Sequence, residues 1–145
     1  MIAELIASGV GTVAFSLLFG VPKIYYGSCG LIGMAGWLIY RLSLMLGIGN
    51  TFAVFFAAVV IILLSRITAV RRMCPATVFM ITGIFPLVPG AQICWAAYYL
   101  VTNQYTEALS SGLTAIKVII AIVLGIIFVF EIPGKVFLLF KRKNA

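Results

Sequence analysis

Residues 84–90 read Ile84-Phe85-Pro86-Leu87-Val88-Pro89-Gly90, inside an apolar run from Pro75 to Val101 that is long enough to cross a bilayer. Proline has no N–H, and its ring clashes with the carbonyl four residues earlier. Pro86 is therefore expected to free the carbonyl of Thr82, and Pro89 that of Phe85. In hydrocarbon such groups need another partner, so an interrupted helix persists only where protein or a watery cavity surrounds it. Two readings fit the stretch. One is a kinked helix shaped for packing. The other is a broken helix whose opened backbone meets a solute near the bilayer midplane.

The rest of the composition agrees with a membrane setting. Of 145 residues, 64% are hydrophobic and 9% are charged, with a mean hydropathy of +1.25. Those values belong to an all-α integral membrane protein. The net charge of +7 comes from ten Lys/Arg against three acids. In a soluble chain that balance would suggest nucleic acid. Here most basic residues flank apolar runs, where they report orientation and contact with anionic lipid, so no nucleic-acid partner is expected. The cysteines Cys29, Cys74 and Cys94 form no CxxC pair, and the chain has no His. Neither a metal site nor a cofactor is expected, and Cys94 reads as a small apolar filler.

Five apolar runs predict five transmembrane helices, the fourth broken at Pro86–Gly90. The first, about Ile2–Val21, lacks a basic leader and a clear cleavage site, so it reads as a spanning helix rather than a signal peptide. The second, about Ser28–Gly47, opens with Gly27, Gly30, Gly33 and Gly36. Small residues at such spacing let another helix approach closely, and packing is their expected role, with a backbone-lined groove as the other reading. The third run is about Asn50–Val70 and the fourth Pro75–Val101. The fifth is about Thr106–Ile132 and is closed by Pro133-Gly134. Residues 1–134 are thus expected to form the transmembrane domain. Residues 135–145, ending in Lys141-Arg142-Lys143, are expected to be a basic cytoplasmic tail on the membrane surface.

With five spans, one side collects Lys23, Arg66, Arg71, Arg72 and the basic tail, whereas the other has only Arg41 nearby. The positive-inside bias predicts an outside N-terminus and a cytoplasmic C-terminus. Glu4 and Arg41 both lie toward the outer side and are expected to pair across the first two helices. Lys117 differs. It lies about 16 Å into the fifth run at 1.5 Å per residue, near the midplane of a core about 30 Å thick. By the same count it shares its depth with Pro89-Gly90. Free carbonyls, water, an anionic solute or an acid from another chain are the partners open to it. The candidate solute-binding set is Thr82, Phe85, Pro86, Pro89, Gly90, Gln92 and Lys117.

The sequence resembles the short, membrane-only subunit of the threonine/serine exporter family. The resemblance rests on Phe19-Gly20-Val21-Pro22-Lys23, then Cys29-Gly30-Leu31-Ile32-Gly33-Met34-Ala35-Gly36-Trp37. Cys74-Pro75-Ala76-Thr77-Val78-Phe79 and Gly83-Ile84-Phe85-Pro86-Leu87-Val88-Pro89-Gly90 complete it. It implies a bacterial inner-membrane transporter subunit exporting small amino acids or small carboxylic acids. The implied partner is a larger subunit with a cytoplasmic domain, and a homo-oligomer is the other assembly considered. Two five-helix halves in tandem would form inverted repeats. An assembly subunit without solute contact is the alternative. An intramembrane enzyme is disfavoured, because the chain has neither Asp nor His for acid–base work.

Overall fold

The computed structural model describes residues 2–138. Over them the chain folds into helices joined by short turns: α1 (Ile2–Leu18), α2 (Tyr26–Met45), α3 (Asn50–Arg72), α4 (Thr77–Ile84), α5 (Gly90–Val101), α6 (Tyr105–Phe130) and α7 (Gly134–Leu138). Single 3-10 turns occupy Lys23–Tyr25 and Phe85–Leu87. Among the described residues there is no strand. The basic residues Lys141, Arg142 and Lys143 of the expected tail lie outside the described residues.

Three stretches are long and apolar enough to cross a membrane, namely Lys23–Met45, Asn50–Arg72 and Tyr105–Phe130. The segments Thr77–Leu87 and Gly90–Val101 qualify together as a fourth, bent by 52°. The first expected span is shorter than the sequence suggested. α1 has 17 residues, about 25 Å of helix against a core of about 30 Å. It stops because Gly20, at φ 67°, turns the chain, and the N–H of Val21 closes back on the carbonyl of Ser16. Gly47, at φ 76°, ends α2 in the same way.

α3 is the central element and packs against α2, α4, α6 and α7. Its Ala53, Ala57, Ala58 and Ile61 are wholly buried. Between lipid-embedded helices there is little hydrophobic driving force, so close contact of small residues must hold the bundle. The glycines show this. A Cβ on Gly33 would overlap the Thr12 side chain of α1, and one on Gly36 would overlap Ile61 of α3. Gly30 is buried and faces Val13 of α1. Gly27 departs from the expected packing band. It is exposed, with open space where its Cβ would be, because it sits in the first turn of α2, past the end of α1. On the facing side of α1, Ser8, Thr12 and Ser16 are buried. Thr12 donates to the carbonyl of Ser8 and Ser16 to that of Thr12, both at 2.8 Å, while Ser8 donates to Gly33 at 3.1 Å.

One end of the bundle is basic. Arg72 donates to Ser28 at 3.4 Å, linking the C-terminus of α3 to the start of α2. Arg66 donates to the carbonyls of Val129 and Ile132 at 2.6 and 3.1 Å. Its guanidinium also lies 4.2 Å from the Phe137 ring centre. A cation on the last carbonyls of α6 offsets both the unpaired acceptors and the negative dipole end of that helix. At the opposite side of the chain's charge pattern, Glu4 and Arg41 pair across α1 and α2 at 3.0 Å, as expected. The contact is too misaligned to count as a hydrogen bond, so it is a partly exposed meeting of charges.

Candidate functional site

The segment from Thr77 to Val101 is divided into two halves by its prolines. α4 fits between α2 and α3 and touches α1. A Cβ on its Gly83 would come within 2.9 Å of Ile61 and 3.1 Å of Ile32. Phe85 stacks on Phe15 of α1 with ring centres 3.6 Å apart, which pins the break against the bundle.

The backbone at the break is only partly opened. The carbonyl of Phe85 is not free, contrary to expectation. The 3-10 turn brings the N–H of Val88 onto it at 3.1 Å. Pro89 then adopts φ −78° and ψ 53°, near the inverse γ-turn, and the N–H of Gly90 donates to the carbonyl of Val88 at 2.8 Å. The first helical bond of α5 runs from Ile93 N–H to the carbonyl of Pro89. Between those two bonds lie the N–H groups of Ala91 and Gln92, which belong to the unpaired first turn of a helix.

Ala91 and Gln92 line a hollow of about 190 Å³ against the break. Its walls include Pro86, Leu87, Val88 and Pro89, with Trp37 and Tyr40 of α2, Asn50 of α3 and Val118 of α6. The Tyr40 hydroxyl donates to Oδ1 of Asn50 at 2.8 Å. The Trp37 indole Nε1 is buried without an acceptor among the described residues. The walls of the hollow thus bring together the first turn of α5, the Trp37 side chain and the amide side chains of Asn50 and Gln92. Trp37 and Pro86 also wall a second hollow of about 310 Å³, bounded by Glu4, Ser8 and Phe15.

The structure separates the residues singled out from sequence. Pro86, Pro89 and Gln92 line the first hollow. Gly90 opens α5 but is exposed, and Phe85 faces α1. Thr82 is buried, and its hydroxyl turns back on the carbonyls of Val78 and Phe79 at 3.1 and 3.3 Å. Lys117 stands at the level of the hollow, since its neighbour Val118 lines it. Its own side chain is exposed on another face of α6. Trp37, Tyr40 and Asn50 are the polar-bearing side chains of the lining that sequence reasoning missed, beside the apolar Val54, Leu87, Val88, Ala91 and Val118. The available signal was Trp37 and Tyr40 three residues apart on one helical face, facing a turn that carries Asn50.

No curated protein and no solved structure matches the chain. The family model described as "Threonine/Serine exporter, ThrE" matches residues 4–132. That range contains every helix that walls the hollow, including the whole broken segment and the glycines of α2. An all-helical, apolar chain matched over this range belongs to the threonine/serine exporter family and is a component of a membrane transporter.

Proposed function

We propose that this chain is the short membrane subunit of an exporter of small amino acids, threonine- and serine-like, or of small carboxylic acids. The observation that carries this reading is the polar hollow against the start of α5. At about 190 Å³ it is below the roughly 300–1,000 Å³ of drug-sized sites, which favours a small solute. A carboxylate there meets the N–H groups of Ala91 and Gln92 and the positive end of the α5 dipole. The indole N–H of Trp37 is a further donor without an acceptor. An ammonium group finds acceptors in the side-chain oxygens of Asn50 and Gln92. A half-helix start facing the carboxylate of a solute is the arrangement expected of broken helices in transporters.

In this reading α1 is a fifth, short span. A bend of 52° is far from the reversal of a re-entrant hairpin, so the broken segment crosses as one span. The clustering of Arg66, Arg71 and Arg72 at one end supports a cytoplasmic C-terminus and an outside N-terminus in the bacterial inner membrane. Five spans per chain also suit an inverted-repeat assembly with a larger partner subunit.

The test is efflux of serine, threonine and small dicarboxylates from cells lacking both subunits, with each restored in turn. Asn50→Leu and Gln92→Leu should each lower efflux while membrane abundance stays unchanged. Unaltered affinity and rate in both variants would remove the hollow from the solute path. Full-rate efflux without this chain would favour an assembly role instead.

A further inference from the structure

The exposed flank of α6 carries a feature the hollow does not use. Lys117 lies 12 residues from Tyr105 and 13 from Phe130, the ends of α6 as the structure sets them. That is about 18 Å from one end and 20 Å from the other. The extended side chain of lysine covers only a fraction of either distance, so its ammonium cannot reach the headgroups from a span centred in the bilayer. Around it, Leu113, Ile116, Ile120 and Leu124 are all exposed, and the one polar side chain within a turn, Thr114, carries no charge and donates its hydroxyl to the carbonyl of Ser110 at 2.9 Å. An ammonium held among such side chains at mid-depth is costly in lipid and is relieved by an acid or another polar group.

This chain does not supply that acid. Its three acids are Glu4, Glu107 and Glu131. Glu4 is paired with Arg41. Glu107 and Glu131 stand near the two ends of α6, about 15 and 21 Å along the helix from Lys117. A second copy is no better. Because Lys117 is at the centre of its helix, a copy inserted in either direction sets Lys117 against Lys117.

We propose that the face of α6 around Lys117 docks a different membrane chain, one that carries an Asp or Glu at mid-bilayer depth opposite Lys117. The docking face is independent of the solute reading, since Lys117 does not line the hollow. Efflux that survives both Asn50→Leu and Gln92→Leu would sink the hollow and leave this face untouched.

The experiment is photo-crosslinking in living cells from a benzoylphenylalanine placed at Ile120, with one at Val10 of α1 as the control on another exposed face. The expected result is a crosslink at Ile120, absent at Val10, to a second membrane protein whose peptide map places an acid at that depth. Lys117→Met should reduce that crosslink at least several-fold at unchanged membrane abundance. Lys117→Glu combined with Lys at the partner's acid should restore it. The proposal is overturned if Ile120 yields no protein adduct, or a crosslink only to a second copy of this chain. It is equally overturned by a partner without such an acid, or by a crosslink indifferent to Lys117→Met. Thermal unfolding of the purified Lys117→Met chain separates loss of docking from loss of fold: an unchanged melting temperature assigns a lost crosslink to docking, and a lowered one assigns it to folding and overturns the proposal.

Discussion

The two halves of the broken segment have similar composition and opposite surroundings. α4 is held between α1, α2 and α3, with Phe79, Thr82 and Gly83 buried. α5 packs substantially against α6 alone and buries no residue completely. The prolines therefore mark where the segment leaves the bundle interior for its edge. The difference teaches that the break is set by local chemistry at Pro86 and Pro89 and then held from one side. Phe15 fixes Phe85, while the far half answers only to α6.

The largest effect expected from this contrast is on stability. Gly83→Leu forces a side chain into Ile61 and Ile32 and should cost about 3 kcal/mol, the upper range for overpacking. Ala97→Leu, on the exposed face of α5, should stay within about 0.5 kcal/mol. Thermal unfolding in detergent decides, and equal losses would erase the distinction between anchored and peripheral halves.

Pro89→Ala comes next. It restores a backbone N–H and lifts a penalty of about 3 kcal/mol against a continuous helix. Spin labels at Thr77 and Val101 should move apart as the 52° bend relaxes, and efflux should fall. An unchanged distance would show that packing, not proline, imposes the bend.

Thr82→Val should cost about 1 kcal/mol or less, because the hydroxyl only supplements helical carbonyls. Efflux should be unaltered. A selective loss of solute affinity would return Thr82 to the site.

The smallest effect concerns the cysteines that accompany the two halves. Cys74, just before α4, has its thiol pushed above the ordinary range by burial. A hydrogen bond to Tyr25 and the charge of Arg72 oppose that shift. A raised value keeps the thiol protonated near neutrality, so labelling by a water-soluble maleimide should climb steadily between pH of about 6 and 8. A flat rate would contradict the burial. Cys94, exposed on the apolar α5, should resist the same reagent, as expected of a thiol within a bilayer-crossing segment.

How far the sequence could be read follows from which interactions are local. Pro86, Pro89 and Gly90 announce a break because proline chemistry acts within one turn. Gly33 and Gly36 announce close approach for the same reason: the absent side chain is itself the signal. Trp37, Tyr40 and Asn50 were not legible as one group, because their meeting depends on how α2 and α3 dock on the break. Nor could the free carbonyl expected at Phe85 be judged from spacing, since a 3-10 turn recovers the bond with a donor three residues away. Lys117 does lie level with the break, as its neighbour Val118 shows, while its side chain is exposed rather than turned to the hollow. The signal for direction was present: Glu107, Ser110, Thr114 and Lys117 recur at helical spacing on one face of α6, and all four are exposed, away from the buried Ala115, Val118 and Ile122.

The hydroxyls of Ser8, Thr12 and Ser16 each donate to a main-chain oxygen. None of the three is left to offer its proton to a passing solute or a file of water. Along the seam between α1 and α2 these polar side chains therefore act as backbone fasteners, their protons committed to the fold itself.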